Sequence, residues 1–188
     1  SDKFISFDPL EQFMLRIKMS TYLGIALAMP FLLWQIWAFI APGLYQNERR
    51  YAGAFVGSAT VLFAMGAAIA YYTLPQALGF LQSVGGDDVL YQYTTESYIM
   101  LILYMMLAFG VGFQFPIVVV FLQIIGLVEP QQLVKFRRFA VVIIFGTAAV
   151  ITPSADPISL VALAIPMVIF YEISILIGRI IGRRRRRN

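Results

Sequence analysis

The stretch SYIMLILYMMLAFGVGFQFPIVVVFLQIIGLV, Ser97 to Val128, contains no charged residue. A run of ~20 apolar residues is enough to cross a bilayer as a helix. Strict apolar/polar alternation is absent, so the run does not read as a membrane β-strand. Working outward, Met19 to Asn47, Tyr51 to Gly86 and Phe139 to Ala155 are also free of charge. Only 13% of the 188 residues are charged and 60% are hydrophobic, against about 25% charged in a typical soluble domain. The chain therefore reads as one all-α polytopic membrane domain over residues 1–188.

Five spans are expected, at about 10–40, 51–81, 97–125, 139–151 and 157–177, followed by a basic tail at 178–188. The last two are expected to be short. Thirteen residues from Phe139 to Ile151 give only ~20 Å of helix, against a hydrocarbon core of ~30 Å. A short hairpin thins the bilayer or draws polar groups inward. Pro30, Pro75, Pro116 and Pro166 fall inside spans, where each removes a backbone donor and favours a bend. A curved, concave bundle follows from bent helices.

Arginine and lysine set the orientation. Loop 42–50 carries Arg49 and Arg50, loop 126–138 carries Lys135, Arg137 and Arg138, and the tail carries Arg179 and Arg183 to Arg187. Loops 82–96 and 152–157 contain acidic residues and no base. The first group is assigned to the cytoplasm and the second to the outside. Lys3, Arg16 and Lys18 run against this at the N-terminal end. Five spans with an inside tail put Ser1 outside, with no initiator Met and no signal peptide to export it. The expectation is that a helix precedes this sequence, making six spans with both ends inside.

The composition removes several chemistries. With no cysteine and no histidine, disulfides, thiol catalysis, the usual zinc sites and a Ser-His-Asp triad are excluded. No cofactor or metal and no enzyme activity are expected. Polar groups at membrane depth need partners. Gln114, nearest the middle of a span, reads as an interhelical hydrogen bond. Glu172 reads as an ion pair or snorkelling group near Tyr171 and Arg179, and Thr152 and Asp156 as residues that shape the turn ITPSADP. In FIAPGLYQNERR, Phe39 to Arg50, Glu48 is open to three readings. It is a solvated loop charge, a carboxylate favoured by the next helix's dipole, or an acceptor for a bidentate guanidinium, which selects Arg over Lys.

The strings PFLLWQIWAFIAPGLYQNERR, AFGVGFQFPIVVVFLQIIGLV, LVKFRRFAVV, ITPSADP and AIPMVIFYEISI resemble, in order and over nearly the whole chain, the TatC family of the twin-arginine protein translocase. The resemblance implies six transmembrane helices in the cytoplasmic (inner) membrane, this chain lacking the first. It implies binding of the twin-arginine signal peptides of folded precursors, TatA- and TatB-type single-span partners, other copies of itself, and translocation driven by the proton-motive force. It assigns Glu48 to the arginine pair, with Phe39, Pro42, Leu44 and Tyr45 shaping that loop. It places partner-helix docking around Thr152 and Asp156 and along the last span, where Glu172 lies. Two departures stand out. A second acidic residue of the family's N-terminal segment is not in this sequence, which implies weakened signal binding. Gln114 occupies a position where the family usually has glutamate, so a proton-linked role there is in doubt while hydrogen bonding to a partner helix survives. The alternative from another class is a small-solute or ion transporter, which needs charged or broken-helix sites near the midplane; the sequence offers only Gln114 and no evident pair of half-helices.

Overall fold

A computed structural model describes residues 9–40, 52–85, 95–152 and 156–185. The described residues form helices and short turns. The helices are α1 (Pro9–Ile40), α2 (Ala52–Gly85), α3 (Thr95–Gly112), α4 (Phe115–Ile124), α5 (Pro130–Lys135), α6 (Arg137–Ile151) and α7 (Pro157–Arg185). Four stretches among them are long and apolar enough to cross a membrane: Gln12–Ile36, Gly53–Val84, Glu96–Ile124 and Pro157–Gly182. The fourth expected span, α6, has 15 residues and is short, as its composition predicts.

Small residues decide how closely α2 and α3 cross. A Cβ on Gly66 would fall 2.6 Å from the Phe109 carbonyl oxygen, and one on Gly110 would fall 2.5 Å from the Phe63 ring. Without a Cβ at either place the two backbones meet directly, the usual mode of helix association where lipid removes any hydrophobic drive. From this crossing the buried row Met105, Phe109 and Phe113 continues along α3 at helical spacing. It meets Ala70 and Leu74 of α2, Ala140, Ile144 and Ala148 of α6, and Leu163, Ala164, Met167 and Tyr171 of α7 in one core. The rings of Phe113 and Phe170 close the α3–α7 contact edge to face, with centroids 5.4 Å apart. α1 stands at the side, against α2 and α3. Of its described side chains only Leu15 belongs to the buried apolar set.

The third span is two helices rather than one. α3 ends at Gly112 and α4 begins at Phe115. Pro116 has no N–H, so it cannot donate to the carbonyl of Gly112 four residues back. The Phe113 amide still donates to the Phe109 carbonyl at 2.9 Å, and the Gln114 amide tightens onto the Val111 carbonyl at 2.9 Å. Pro30, Pro75 and Pro166 lie inside continuous helices, so only one of the four expected bends is a break. The broken helix the sequence did not offer is present once, at Gln114.

α4 closes with a left-handed glycine, Gly126 at φ +80°. The Leu127 amide donates to the Leu122 carbonyl at 3.1 Å and the Gly126 amide to the Gln123 carbonyl at 3.2 Å, which is the Schellman pairing. The expected basic loop 126–138 is accordingly more ordered than a loop. It contains α5, begun by Pro130 at its first position and by the Glu129 amide donating to Gln132 Oε1 at 2.9 Å. α6 starts at Arg137, two residues before the expected boundary.

The last span also corrects the expected lengths. α7 has 29 residues and runs to Arg185, past the expected end at 177, because arginine is a good helix former. It falls short of α3 only at its Pro157 end. Gly112 lies level with Leu163 and Ile151, whose side chains approach its would-be Cβ to 3.3 and 4.0 Å. From there α3 runs back to Thr95, whereas α7 begins at Pro157. At 1.5 Å per residue the start of α7 at Pro157 falls roughly 16 Å short of the start of α3.

Candidate functional site

The sequence nominated an inner loop and a set of intramembrane polar groups, and the structure treats them differently. Pro42, Leu44, Tyr45 and Glu48 lie outside the described residues. Phe39 is described, at the end of α1, with 86% of its surface exposed. A phenyl ring this open in the last turn of a span is available to whatever meets that end of the molecule.

Gln114 sits at the α3–α4 break. Its Nε2 donates to the Ala59 carbonyl of α2 at 3.0 Å and to the Gly110 carbonyl at 3.3 Å. The interhelical reading is therefore correct, with α2 as the partner. Two carbonyls fix the amide's orientation, because turning it over would set oxygen against oxygen. Gln114 Oε1 is then left buried with no partner among the described residues. A buried acceptor without a donor is costly, so this position is suited to a donor brought by another helix.

Thr152 and Asp156 are buried, at 4% and 1% exposure. Thr152 Oγ1 donates back to the Ala148 carbonyl at 2.6 Å, ending α6. Asp156 Oδ1 accepts the Ser159 amide at 2.7 Å. That is an N-cap at the third helical amide, with Pro157 in the first position, where its missing N–H costs nothing. The carboxylate also faces the positive end of the helix dipole. Both side chains are therefore consumed in building the deep turn. Ser159 Oγ is buried beside them without a partner among the described residues.

Glu172 accepts a hydrogen bond from Arg137 at 2.7 Å. The partner is thus the first residue of α6 and not Arg179. Both side chains are nearly half exposed, so the pair contributes only ~0.2–1 kcal/mol. Its neighbour Tyr171 donates its hydroxyl to the Leu133 carbonyl at 2.8 Å and ties α5 to α7. Lys18 of α1 pairs with Glu96 at the start of α3. This accounts for one of the three cations that ran against the charge pattern.

One group was missed. Gln123, near the end of α4, donates its Nε2 to the Ser174 carbonyl of α7 at 2.9 Å and to the Val119 carbonyl at 3.3 Å. Its Oε1 lies against Gly178, where an added Cβ would come within 1.8 Å of it. A glutamine inside an otherwise apolar run was the available signal. Nothing in local sequence links it to a glycine 55 residues on. Gln114 and Gln123 thus fasten the two ends of α4 to different helices, α2 and α7.

Comparison with known proteins places this arrangement. The family model described as Sec-independent protein translocase protein (TatC) matches residues 1–166. Curated relatives of that name are 39% identical in Frankia casuarinae, over 95% of this chain and 49% of the relative. The protein of that name in Helicobacter pylori strain J99 is 37% identical, over 95% of this chain and 72% of the relative. The chain spans about half the length of the relatives from Frankia casuarinae and Halothiobacillus neapolitanus. Among solved structures, the twin arginine translocase receptor TatC crystallised in DDM superposes with a TM-score of 0.75 at 37% identity, covering 94% of this chain and 79% of that one. With its family model matched from residue 1 to 166 and its helices superposed on that receptor, this multi-pass, all-helical chain belongs to the TatC family.

Proposed function

We propose that this chain is the receptor and assembly subunit of twin-arginine protein export in the cytoplasmic membrane. The observation that carries the reading is its superposition, over 94% of its length, on a solved twin arginine translocase receptor. In this reading the ends bearing α5, Arg137 and the α7 tail face the cytoplasm. Glu48 accepts the guanidinium of a signal-peptide arginine. Phe39, Pro42, Leu44 and Tyr45 form its surroundings, and the exposed ring of Phe39 supplies an apolar contact beside the arginine pair. Single-span TatA- and TatB-type partners and other copies of the chain pack against the stepped hairpin α6–α7 and the last span. The proton-motive force, rather than nucleotide hydrolysis, drives the transfer.

Gln114 fits this reading as a hydrogen-bonding and not an ionising residue. Its free Oε1 takes a donor from a partner helix, and no proton need move there. A solute-transport reading would draw on the α3–α4 break, but the amide at the break is already committed to Ala59 and Gly110.

The test is photo-crosslinking of a twin-arginine signal peptide to the protein in membranes. A charge-assisted hydrogen bond contributes about 1.5–3 kcal/mol. Glu48→Ala should therefore lower crosslinking on the order of tenfold or more, and a twin-lysine peptide should already label the parent weakly. Equal labelling of parent and variant would overturn the assignment of Glu48.

A further inference from the structure

Three cations cluster where α5 meets α6, and only one of them is answered. Arg137 pairs with Glu172 at 2.7 Å. Among the described residues neither Lys135 nor Arg138 forms an ion pair, and both are exposed. They lie three residues apart across the single residue, Phe136, that joins the two helices. Helical bonding persists through this joint. The Phe136 amide donates to the Gln132 carbonyl at 3.0 Å, and the Ala140 amide to the Phe136 carbonyl at 2.9 Å. Residues three apart on such a turn are surface neighbours.

The depth of the joint makes the missing counter-charge matter. The bonds from Arg137 to Glu172 and from Tyr171 to the Leu133 carbonyl set it beside residues 171 and 172 of α7. The apolar stretch of α7 runs on to Gly182, which is ten residues and about 15 Å farther along. That is more than a lysine or arginine stem can climb by snorkelling. A cation beside hydrocarbon is costly unless an anion comes to it.

The surface that follows the cations selects the kind of anion. α6 buries a single row, Ala140, Ile144 and Ala148, and the rest of it is open. Arg138, Val142 and Phe145 recur at i, i+4 and i+7 on one exposed face. The rings of Phe136 and Phe139, both more than half exposed, lie next to the cations with centroids 5.1 Å apart. Paired positive charge that leads into an open apolar face matches an anionic head on a hydrocarbon tail. A partner helix would have to carry two acids to the same depth, at the cost of desolvating both.

We infer that the α5–α6 joint is a binding site for one anionic phospholipid. The phosphate sits between Lys135 and Arg138, and an acyl chain lies along Val142 and Phe145. The site is at the opposite end of α6 from the Thr152–Asp156 turn and shares no residue with it.

Native mass spectrometry tests this on protein reconstituted with equal phosphatidylglycerol and phosphatidylcholine and then extracted in mild detergent. The parent should retain one phosphatidylglycerol in preference to phosphatidylcholine. Lys135→Gln with Arg138→Gln changes only exposed side chains and should lower that preference on the order of thirtyfold. Arg16→Gln removes an exposed cation of α1 and should leave it unchanged. A photoreactive residue at Val142 should label lipid in membranes. Equal retention of the two lipids by the parent, an unchanged preference in the double variant, or an equal loss in Arg16→Gln would each overturn the proposal. So would labelling of a protein partner from position 142 in place of lipid.

Discussion

Gly178→Ala is a one-carbon change whose effect the geometry fixes closely. The added Cβ would sit 1.8 Å from Gln123 Oε1 and 2.5 Å from its Cδ. The atom in the way is the end of a flexible side chain, which in most settings would swing aside at little cost. Here it cannot do so freely, because the same amide donates to Ser174 and Val119 carbonyls. Moving it breaks the contact between α4 and α7. An interhelical side-chain hydrogen bond in a membrane contributes about 0.6–2 kcal/mol, and overpacking adds typically 1–3 kcal/mol. Alanine's better helix propensity returns up to ~1 kcal/mol. The net expectation is a loss of about 1–3 kcal/mol.

The assay is unfolding in mixed micelles by increasing SDS, followed by far-ultraviolet circular dichroism. A double-mutant cycle separates this mechanism from general damage. Gln123→Ala alone should cost about 1 kcal/mol. Adding Gly178→Ala to it should cost nothing more, because the obstructed atom is gone. Gly57→Ala, where a Cβ meets nothing within 4 Å, is the control and should be neutral or stabilising. Additive losses at 123 and 178, or a Gly178→Ala protein as stable as the parent, would refute the reasoning.

Gly66→Ala tests the same idea against a partner that cannot yield. Its Cβ would lie 2.6 Å from a backbone oxygen of Phe109, so helices α2 and α3 must separate; in the same SDS titration the loss should exceed that of Gly178→Ala and should not be relieved by Phe109→Leu, which leaves the carbonyl in place. Asp156→Ala removes the N-cap of α7 and should cost about 0.5–2 kcal/mol, while Asp156→Asn, which can still accept the Ser159 amide, should keep most of it by the same measurement.

The sequence disclosed the fold through its charges. Uncharged runs marked the spans, and the alternation of basic and acidic loops ordered them, because taking a charge into hydrocarbon costs far more than any local preference returns. Asp156 and Thr152 were legible as turn-makers since Asp-Pro before an apolar run is a local capping signal. Gln114 was legible as an interhelical donor because an amide at the midplane has few alternatives, although the identity of its acceptor, the Ala59 carbonyl, depends on packing. The break beside it was harder to read. Four prolines lie in spans, and only the one adjoining a Gly-x-Gly run and a polar side chain separates two helices, a distinction that tertiary contacts make. Arg137 as the partner of Glu172 was hidden for a related reason. Arg179 lies on nearly the same face of the same helix but about two turns, roughly 10 Å, along it, and a sequence reading favours neighbours over residues that a second helix brings in.

The two glutamines give the scaffold a mechanical logic that neither supplies alone. A proline that interrupts a membrane helix frees a carbonyl and weakens the coupling between the halves. Left to itself, α4 would be a ten-residue segment joined to α3 by a two-residue turn. Gln114 secures its first end to α2 and Gln123 its last end to α7. The two side chains point to opposite faces, since nine residues of helix amount to two and a half turns. Each bond closes on a backbone carbonyl, which no side-chain substitution on the neighbouring helix can remove. α2, α4 and α7 therefore form one tied block, and α3 is held to it by its close crossing with α2 at Gly66 and Gly110. The Lys18–Glu96 pair couples α1 to the far end of α3. Loss of Gln123 should accordingly loosen α4 from α7 while leaving α1 and α3 joined. Hydrogen exchange would register this as faster labelling confined to the amides of α4 and the last turns of α7.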